Sequence, residues 1–249
     1  MCLILLAWQA DPAYPLVIAA NRDEFHARPS APAQRWREFS CVIGGRDLEA
    51  GGTWLGITDT GRFAAITNVR EPGMPSGKHS RGALPREFLA GKMSASEYAS
   101  QINVADFSGF NLLIGDGNTA VYCSNRCDEP HILAPGVYGL SNHRLDTPWP
   151  KLIKARTAFR EGLQALPDTE PLFALLADDE IVPDVELPQT GVSLEWERRL
   201  SAIFVKSPDY GTRASTVVWQ NKAGEYLFEE RSFDPAGELT QSSRISTDV

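Results

Sequence analysis

A chain of 249 residues that is 43% hydrophobic and 22% charged has the makeup of a folded globular protein, with material for one large core or two small ones. Its 24 Lys and Arg stand against 32 Asp and Glu, a net charge of -8. With no block of like charge, that balance excludes a general binder of nucleic acid or of anionic membranes, because counterion release needs grouped cations.

The chain opens Met1-Cys-Leu-Ile-Leu-Leu-Ala-Trp8. This apolar run lacks the basic start of a secretory signal and is broken by Gln9, Asp11 and Pro12, so it reads as the buried first strand of a mature cytoplasmic protein. No window approaches the ~20 apolar residues of a membrane span, and no integral membrane association is expected. Strand-like residues 3–8 and 16–20 flank the turn-forming Asp11-Pro12-Ala13-Tyr14-Pro15, which predicts a first hairpin. Residues 54–58 and 62–68 flank Asp59-Thr60-Gly61, and residues 110–116 and 119–124 flank Gly117-Asn118, predicting two more.

Between and after them come helix signals. Ser94-Ala95-Ser96-Glu97 is a capping box ahead of Tyr98 and Ile102, and Pro150 suits the first turn of a helix through Ile153, Ala155, Phe159 and Leu163. Residues 172–176 extend the helical region, and a last hairpin joins residues 215–220 to 225–230 through Asn221-Lys222-Ala223-Gly224. Hairpins at both ends with helices between them predict an α+β layered protein. No linker or repeat divides it, so residues 1–249 read as one domain. Dinucleotide, Walker and G-x-S-x-G motifs are missing from the sequence.

The four cysteines, at positions 2, 41, 123 and 127, do not form the framework of a small disulfide-rich domain. Cys123, Cys127 and His131 have a C-x3-C-x3-H spacing, but structural zinc usually uses tighter cysteine pairs and four ligands. Two small residues near a strand end are the simpler account. His26, His79, His131 and His143 show no metal-ligand spacing either, so no metal or resident cofactor is expected.

Cys2 is the residue with most chemistry. Removal of Met1 exposes a thiol together with its own α-amine, whose pKa of roughly 7.7–8.0 suits it to take the thiol proton near neutral pH. A buried apolar strand can also accept a cysteine simply as a small hydrophobe. The second strand supplies company for it: two alanines run into Asn21-Arg22-Asp23-Glu24, which hairpin pairing brings near the start of the chain. There Arg22 can hold a substrate carboxylate or lower the thiol pKa, and Asp23 can fix the α-amine. A charged turn with a local ion pair is the plainer reading.

Asn21-Arg22-Asp23-Glu24 resembles the signature of the NRDE family, the transport and Golgi organisation protein 2-like proteins. Gly51-Gly52-Thr53-Trp54-Leu55-Gly56-Ile57, Thr67-Asn68-Val69-Arg70, Leu140-Ser141-Asn142 and Tyr210-Gly211-Thr212-Arg213 resemble its other recurring segments, in the family's order and over most of the chain. The resemblance implies a branch of the cysteine N-terminal-nucleophile hydrolases, related to choloylglycine hydrolases and penicillin acylases, with a four-layer αββα sandwich of two antiparallel sheets. It implies Cys2 as nucleophile, Arg22 and Asp23 as the second-strand pair, Asn68 as oxyanion donor, Asn142 as orienter of the α-amine or substrate, and Arg213 completing the site electrostatically. The hydrolases space their arginine and aspartate differently from the adjacent pair here. Asn68 and Asn142 also suit ordinary strand ends, and Arg213 a solvated strand start.

Two functions follow from the resemblance. One is a hydrolase or acyltransferase on a linear amide or thioester bond of a small molecule. The other is a non-catalytic carrier of haem or of a lipid or acyl-CoA, since eukaryotic relatives are linked with haem trafficking, secretory-pathway organisation and acyl-CoA metabolism. Neither implies an oligomeric state.

Overall fold

The computed structural model describes residues 2–247. Its strands are β1 (Cys2–Trp8), β2 (Leu16–Phe25), β3 (Ser30–Arg35), β4 (Val42–Asp47), β5 (Leu55–Thr58), β6 (Phe63–Asn68), β7 (Phe110–Gly115), β8 (Ala120–Ser124), β9 (His131–Ile132), β10 (Gly136–Leu140), β11 (Tyr210–Gln220), β12 (Tyr226–Phe233) and β13 (Leu239–Ser246). The helices are α1 (Ala83–Ala90), α2 (Ala95–Gln101), α3 (Pro150–Gly162), α4 (Glu170–Leu176) and α5 (Leu194–Arg199). Among the described residues the strands form two sheets, one ordered β10-β1-β2-β11-β12-β13 and the other β3-β4-β5-β6-β7-β8-β9. Neighbouring strands are antiparallel throughout.

Strand periodicity builds the layers. On β1, Ile4, Leu6 and Trp8 pack between the sheets against Ile43, Leu55 and Phe63. Leu3, Leu5 and Ala7 point the other way, onto Leu152, Phe159 and Leu172 of α3 and α4. The second sheet repeats the arrangement: Ala64, Leu112 and Ile114 face Leu84 and Phe88 of α1 and Ala99 of α2. The central strands of both sheets are therefore buried on both faces, which produces near-continuous apolar runs instead of half-buried alternation, while edge strands β9 and β13 are largely exposed. The result is the four-layer αββα sandwich of two antiparallel sheets.

The early hairpins, the late hairpin and the capping box at Ser94 and Glu97 are all present. Several elements differ from expectation. Strand β2 runs on through the charged cluster to Phe25 because β11 pairs with it as far as that residue. The segment expected to prolong α3 is a separate helix, α4, which starts after a break at residues 166–169. Ile153, expected on the core face of α3, is 56% exposed. Strands β3, β4, β9, β10 and β13 and helices α1 and α5 lie outside the expected elements, although α5 has a Ser193 cap, an acidic first turn and a basic last turn.

Candidate functional site

Strand β2 is the spine of the site. Cys2 lies directly across the ladder from Arg22, and Asp23 lies across from Thr212 of β11. Successive side chains on a strand point to opposite faces, so the adjacent Arg22 and Asp23 go to different places. Arg22 shares the inter-sheet side with Ala20 and Ile18, where its guanidinium stacks on Trp54 at 4.3 Å from the ring centroid and lies 3.8 Å from Glu24. Asp23 shares the helix side with Asn21 and Ala19. Its carboxylate accepts from Thr212 Oγ1 at 2.7 Å, and its backbone carbonyl accepts from Tyr210 Oη at 3.0 Å.

Two glycines make room for this arrangement. A Cβ on Gly45 would collide with the indole of Trp54, and a Cβ on Gly52 would collide with the backbone of Gly82. Gly45 thus lets the indole slide under Arg22, and Gly52 lets the start of α1 close onto β5, with Thr53 N donating to Gly82 O at 3.1 Å.

On the opposite sheet, Asn68 ends β6 half-buried at the cleft. Asn142 is fully buried just after β10. Its Nδ2 donates to Asn68 Oδ1 at 3.0 Å and to the Asn68 carbonyl at 3.1 Å. Asn68 Nδ2 makes a 3.2 Å bond to Val69 O, which uses one of its two hydrogens. A second chain of bonds ties the sheets at the same level. Tyr122 Oη donates to Asn111 Oδ1, Asn111 Nδ2 donates to Thr67 Oγ1, Thr67 Oγ1 donates to Ser141 O, and Ser141 Oγ donates to the Cys2 carbonyl. These buried polar groups are satisfied and hold the start of β1 in register with β6.

Burial dominates the electrostatics. It pushes the Cys2 thiol up from its ordinary value and raises the Asp23 carboxyl, against which Lys151 and the Thr212 hydrogen bond pull downward. Lys151, buried in α3 with Nζ donating to Leu200 O at 2.8 Å, is lowered to about 8 by the same desolvation, with Asp23 opposing. Desolvation outweighs the attraction between these two buried groups, so both are moved toward their neutral forms. Arg70 is a further buried cation, bonded to Glu197 of α5 at 2.7 Å and lying over Trp149.

Cys2, Arg22, Asp23 and Asn68 line one cleft of about 670 Å³. Its walls are divided. Val192, Trp196 and Leu200, in and beside α5, supply an apolar side, while Glu24, Arg28, Lys78 and Arg81 supply a charged one. Asn142 stands behind Asn68, its amide hydrogen-bonded to that residue. Arg213 does not line the cleft. It sits at a bulge in β11 between Thr212 and Ala214, and its Nη1 donates to the carbonyls of Phe25, His26 and Arg28, each at 3.1 Å. A bulge re-aims a side chain, and here it turns Arg213 onto the loop after β2.

Sequence reasoning passed over Lys151, Thr212, Tyr210 and Arg70. Thr212 and Tyr210 belong to the same quartet as Arg213, and only the bulge decides which of them meets Asp23. Lys151 carried no signal, since a lysine in the first turn of a helix ordinarily reads as solvated. Around Cys123 and Cys127, the His131 ring stacks on Tyr122, and burial pushes the Cys123 thiol up to about 11. Among the described residues, no three of His, Cys, Asp and Glu gather as metal ligands, and no helix is long and apolar enough to cross a membrane.

Residues 1–235 match the family model described as Transport and Golgi organisation 2. The chain is 38% identical to the Bos taurus Transport and Golgi organization protein 2 homolog over 93% of both chains. It is 35% identical to the Homo sapiens homolog, again over 93% of both. Among solved structures it is similar to the C2A mutant of conjugated bile acid hydrolase from Clostridium perfringens, with a TM-score of 0.56 at 10% identity, covering 99% of this chain and 92% of that one. It is also similar to the Caenorhabditis elegans N-acylethanolamine-hydrolyzing acid amidase ortholog, with a TM-score of 0.50 at 13% identity, covering 87% and 92%. At such identities these two likenesses show the fold, that of the N-terminal-nucleophile hydrolases.

Proposed function

The chain belongs to the Transport and Golgi organisation 2 family, and from its fold and cleft we propose an N-terminal-cysteine hydrolase or acyltransferase acting on a linear amide or thioester bond of a small molecule. The observation that carries this is the meeting of Cys2 with Arg22, Asp23 and Asn68 at one cleft, with Cys2 held from both sides by β2 and Ser141. The solved relatives of this fold include proteins named as hydrolases of conjugated bile acids and of N-acylethanolamines, both amide-bonded acyl compounds.

The reaction divides into two transfers. After Met1 is removed, the α-amine of Cys2 takes the thiol proton and the sulfur attacks the acyl carbon. The carbonyl oxygen gains the displaced electron pair, and Asn68 Nδ2 donates to that oxyanion. As the carbonyl re-forms, the carbon–nitrogen or carbon–sulfur bond breaks and the leaving group takes the proton from the ammonium. Water, or an acceptor amine, then attacks the thioester, giving a proton to the α-amine and from there to the departing sulfur. Acid, or a new amide, is released and the thiol is restored. Arg22, stacked on Trp54, places positive charge beside the sulfur. Asp23 and Lys151 are buried opposite charges behind the cleft that influence each other electrostatically.

Intact mass before and after a thiol-directed acylating probe tests this reading. Loss of Met1 with selective acylation at Cys2, abolished in Cys2→Ala, is the expected result. Retained Met1, or equal labelling in Cys2→Ala, overturns it.

The names of the relatives speak of transport and organisation, which favours a second reading: a non-catalytic carrier of haem or of a lipid or acyl-CoA in the same cleft. Cys2 and His79 both line it and have the chemistry of axial haem ligands. A Soret titration separates the two, since a saturable spectral shift at one equivalent belongs to the carrier alone.

A further inference from the structure

The charged wall of the cleft is unevenly paired. Arg28 is bonded to Asp47 at 2.7 Å and to Glu49 at 3.1 Å, Arg22 lies 3.8 Å from Glu24, and Lys78 is bonded to Asp106 at 2.7 Å. Arg81 differs. Among the described residues it has no carboxylate within ion-pair distance, and its guanidinium makes one hydrogen bond, from Nη1 to the Gly109 carbonyl at 3.3 Å. A guanidinium carries five N–H donors in a fork that matches an oxyanion. Most of that fork is uncommitted, in a cleft shared with Cys2.

The backbone holds it there. Arg81 precedes Gly82, whose carbonyl accepts from Thr53 N and whose backbone presses on Gly52 so closely that a side chain on Gly52 would not fit. Two glycines therefore serve two cations: Gly45 seats Trp54 under Arg22, and Gly52 pins Arg81 at the wall. Burial lowers the Arg81 pKa, with the Cys2 and Glu24 charges opposing, as expected of a cation taken partly out of water without a full counter-charge.

We propose that Arg81 is the anion-recognition residue of the cleft, so that the acyl compound handled at Cys2 carries an oxyanion, a carboxylate or a phosphate, within reach of the thiol. The proposal rests on the cleft being a substrate site and names the substrate class for it. The apolar wall of Val192, Trp196 and Leu200 faces the rest of such an amphipathic molecule.

Iodoacetate and iodoacetamide test this, being near in size and differing in charge. Each forms a carbon–sulfur bond and releases iodide, with the thiol proton passing to solvent. Any effect of Arg81 on the thiolate fraction acts on both reagents and cancels in their rate ratio. Peptide mapping reads that ratio at Cys2, with exposed Cys41 as internal reference. The ratio at Cys2 is expected to favour iodoacetate by about tenfold over Cys41, the low end of what a charge-assisted hydrogen bond is worth. Arg81→Gln should abolish the preference, and Arg81→Lys should keep part of it. Equal ratios in wild type and Arg81→Gln overturn the proposal.

Calorimetric titration of wild type and Arg81→Lys with succinate and with inorganic phosphate completes the test and tells carboxylate from phosphate. Binding of either by wild type, weakened in Arg81→Lys, supports the site; binding of neither, or binding equal in the two proteins, overturns it. If Cys2 resists both alkylating reagents, the hydrolase reading falls, and the titration still decides the anion site.

Discussion

Asn142 donates from one amide nitrogen to both the side-chain oxygen and the backbone carbonyl of Asn68, at 3.0 and 3.1 Å. Turning Asn68 over would set two amide NH2 groups against each other, so the bond fixes which end of Asn68 is the donor. Replacing Asn142 by Leu should free that orientation. The expected cost in stability is about 1–3 kcal/mol, that of leaving buried acceptors unsatisfied. Cys2 acylation should slow while iodoacetamide alkylation of Cys2, which builds no oxyanion, stays within about twofold of wild type. Acylation at the wild-type rate would remove Asn68 from the oxyanion role.

The Tyr210-Gly211-Thr212-Arg213 quartet divides its duties at the β11 bulge. Thr212→Val removes the 2.7 Å bond to the Asp23 carboxylate and the acceptor for Val205 N, so it should push the Asp23 pKa further up and change the pH profile of Cys2 labelling. Arg213→Ala removes three bonds to the loop after β2. It should lower stability by about 1–2 kcal/mol, since the bonds are partly exposed, and leave that profile unchanged. Urea melts and labelling at a series of pH values separate the two, and a shifted profile in Arg213→Ala would restore that arginine to the site.

Lys151 and Asp23 are both buried, and each charge offsets part of the other's desolvation without a direct ion pair between the two. Lys151→Met also removes the donor to the Leu200 and Ala202 carbonyls and should cost about 1–3 kcal/mol. The double variant with Asp23→Asn should recover part of that loss, because the buried carboxylate is then gone. A double-mutant cycle by denaturant unfolding gives the coupling, and additive losses would show that the two charges do not compensate each other.

Glu230 is buried between the sheets, accepting from Ala33 N at 2.7 Å and from Thr216 Oγ1 at 3.1 Å, and desolvation raises its carboxyl from 4.5 to about 7. A raised acid binds its proton more tightly in the fold than in the unfolded chain. Its contribution is complete below 4.5 and is lost as pH rises through about 7, with a ceiling of about 3 kcal/mol at 1.36 per unit. Glu230→Gln cannot lose a proton. Relative to wild type it should gain up to about 3 kcal/mol between pH 4.5 and 8. A constant difference across that range would contradict the assignment.

The local chemistry of the chain was enough for its hairpins, its capping box and the placing of Cys2 opposite the charged cluster. Each of these depends on neighbours within a few residues or on two strands joined by a short turn. The family motifs carried the reading to the four-layer sandwich. Whether Arg22 and Asp23 act together was not legible, because adjacent strand residues part to opposite faces and only the stacking of layers says what each face meets: Trp54 for one, Thr212 and the charge of Lys151 for the other. The partners of Asn142 and Arg213 were likewise set by tertiary structure. One is spent on orienting Asn68, and the other is turned by a bulge onto a loop. Lys151 and Arg81 were visible only as ordinary cations, since a charge becomes unusual through what is absent around it, and that is a property of the packed molecule.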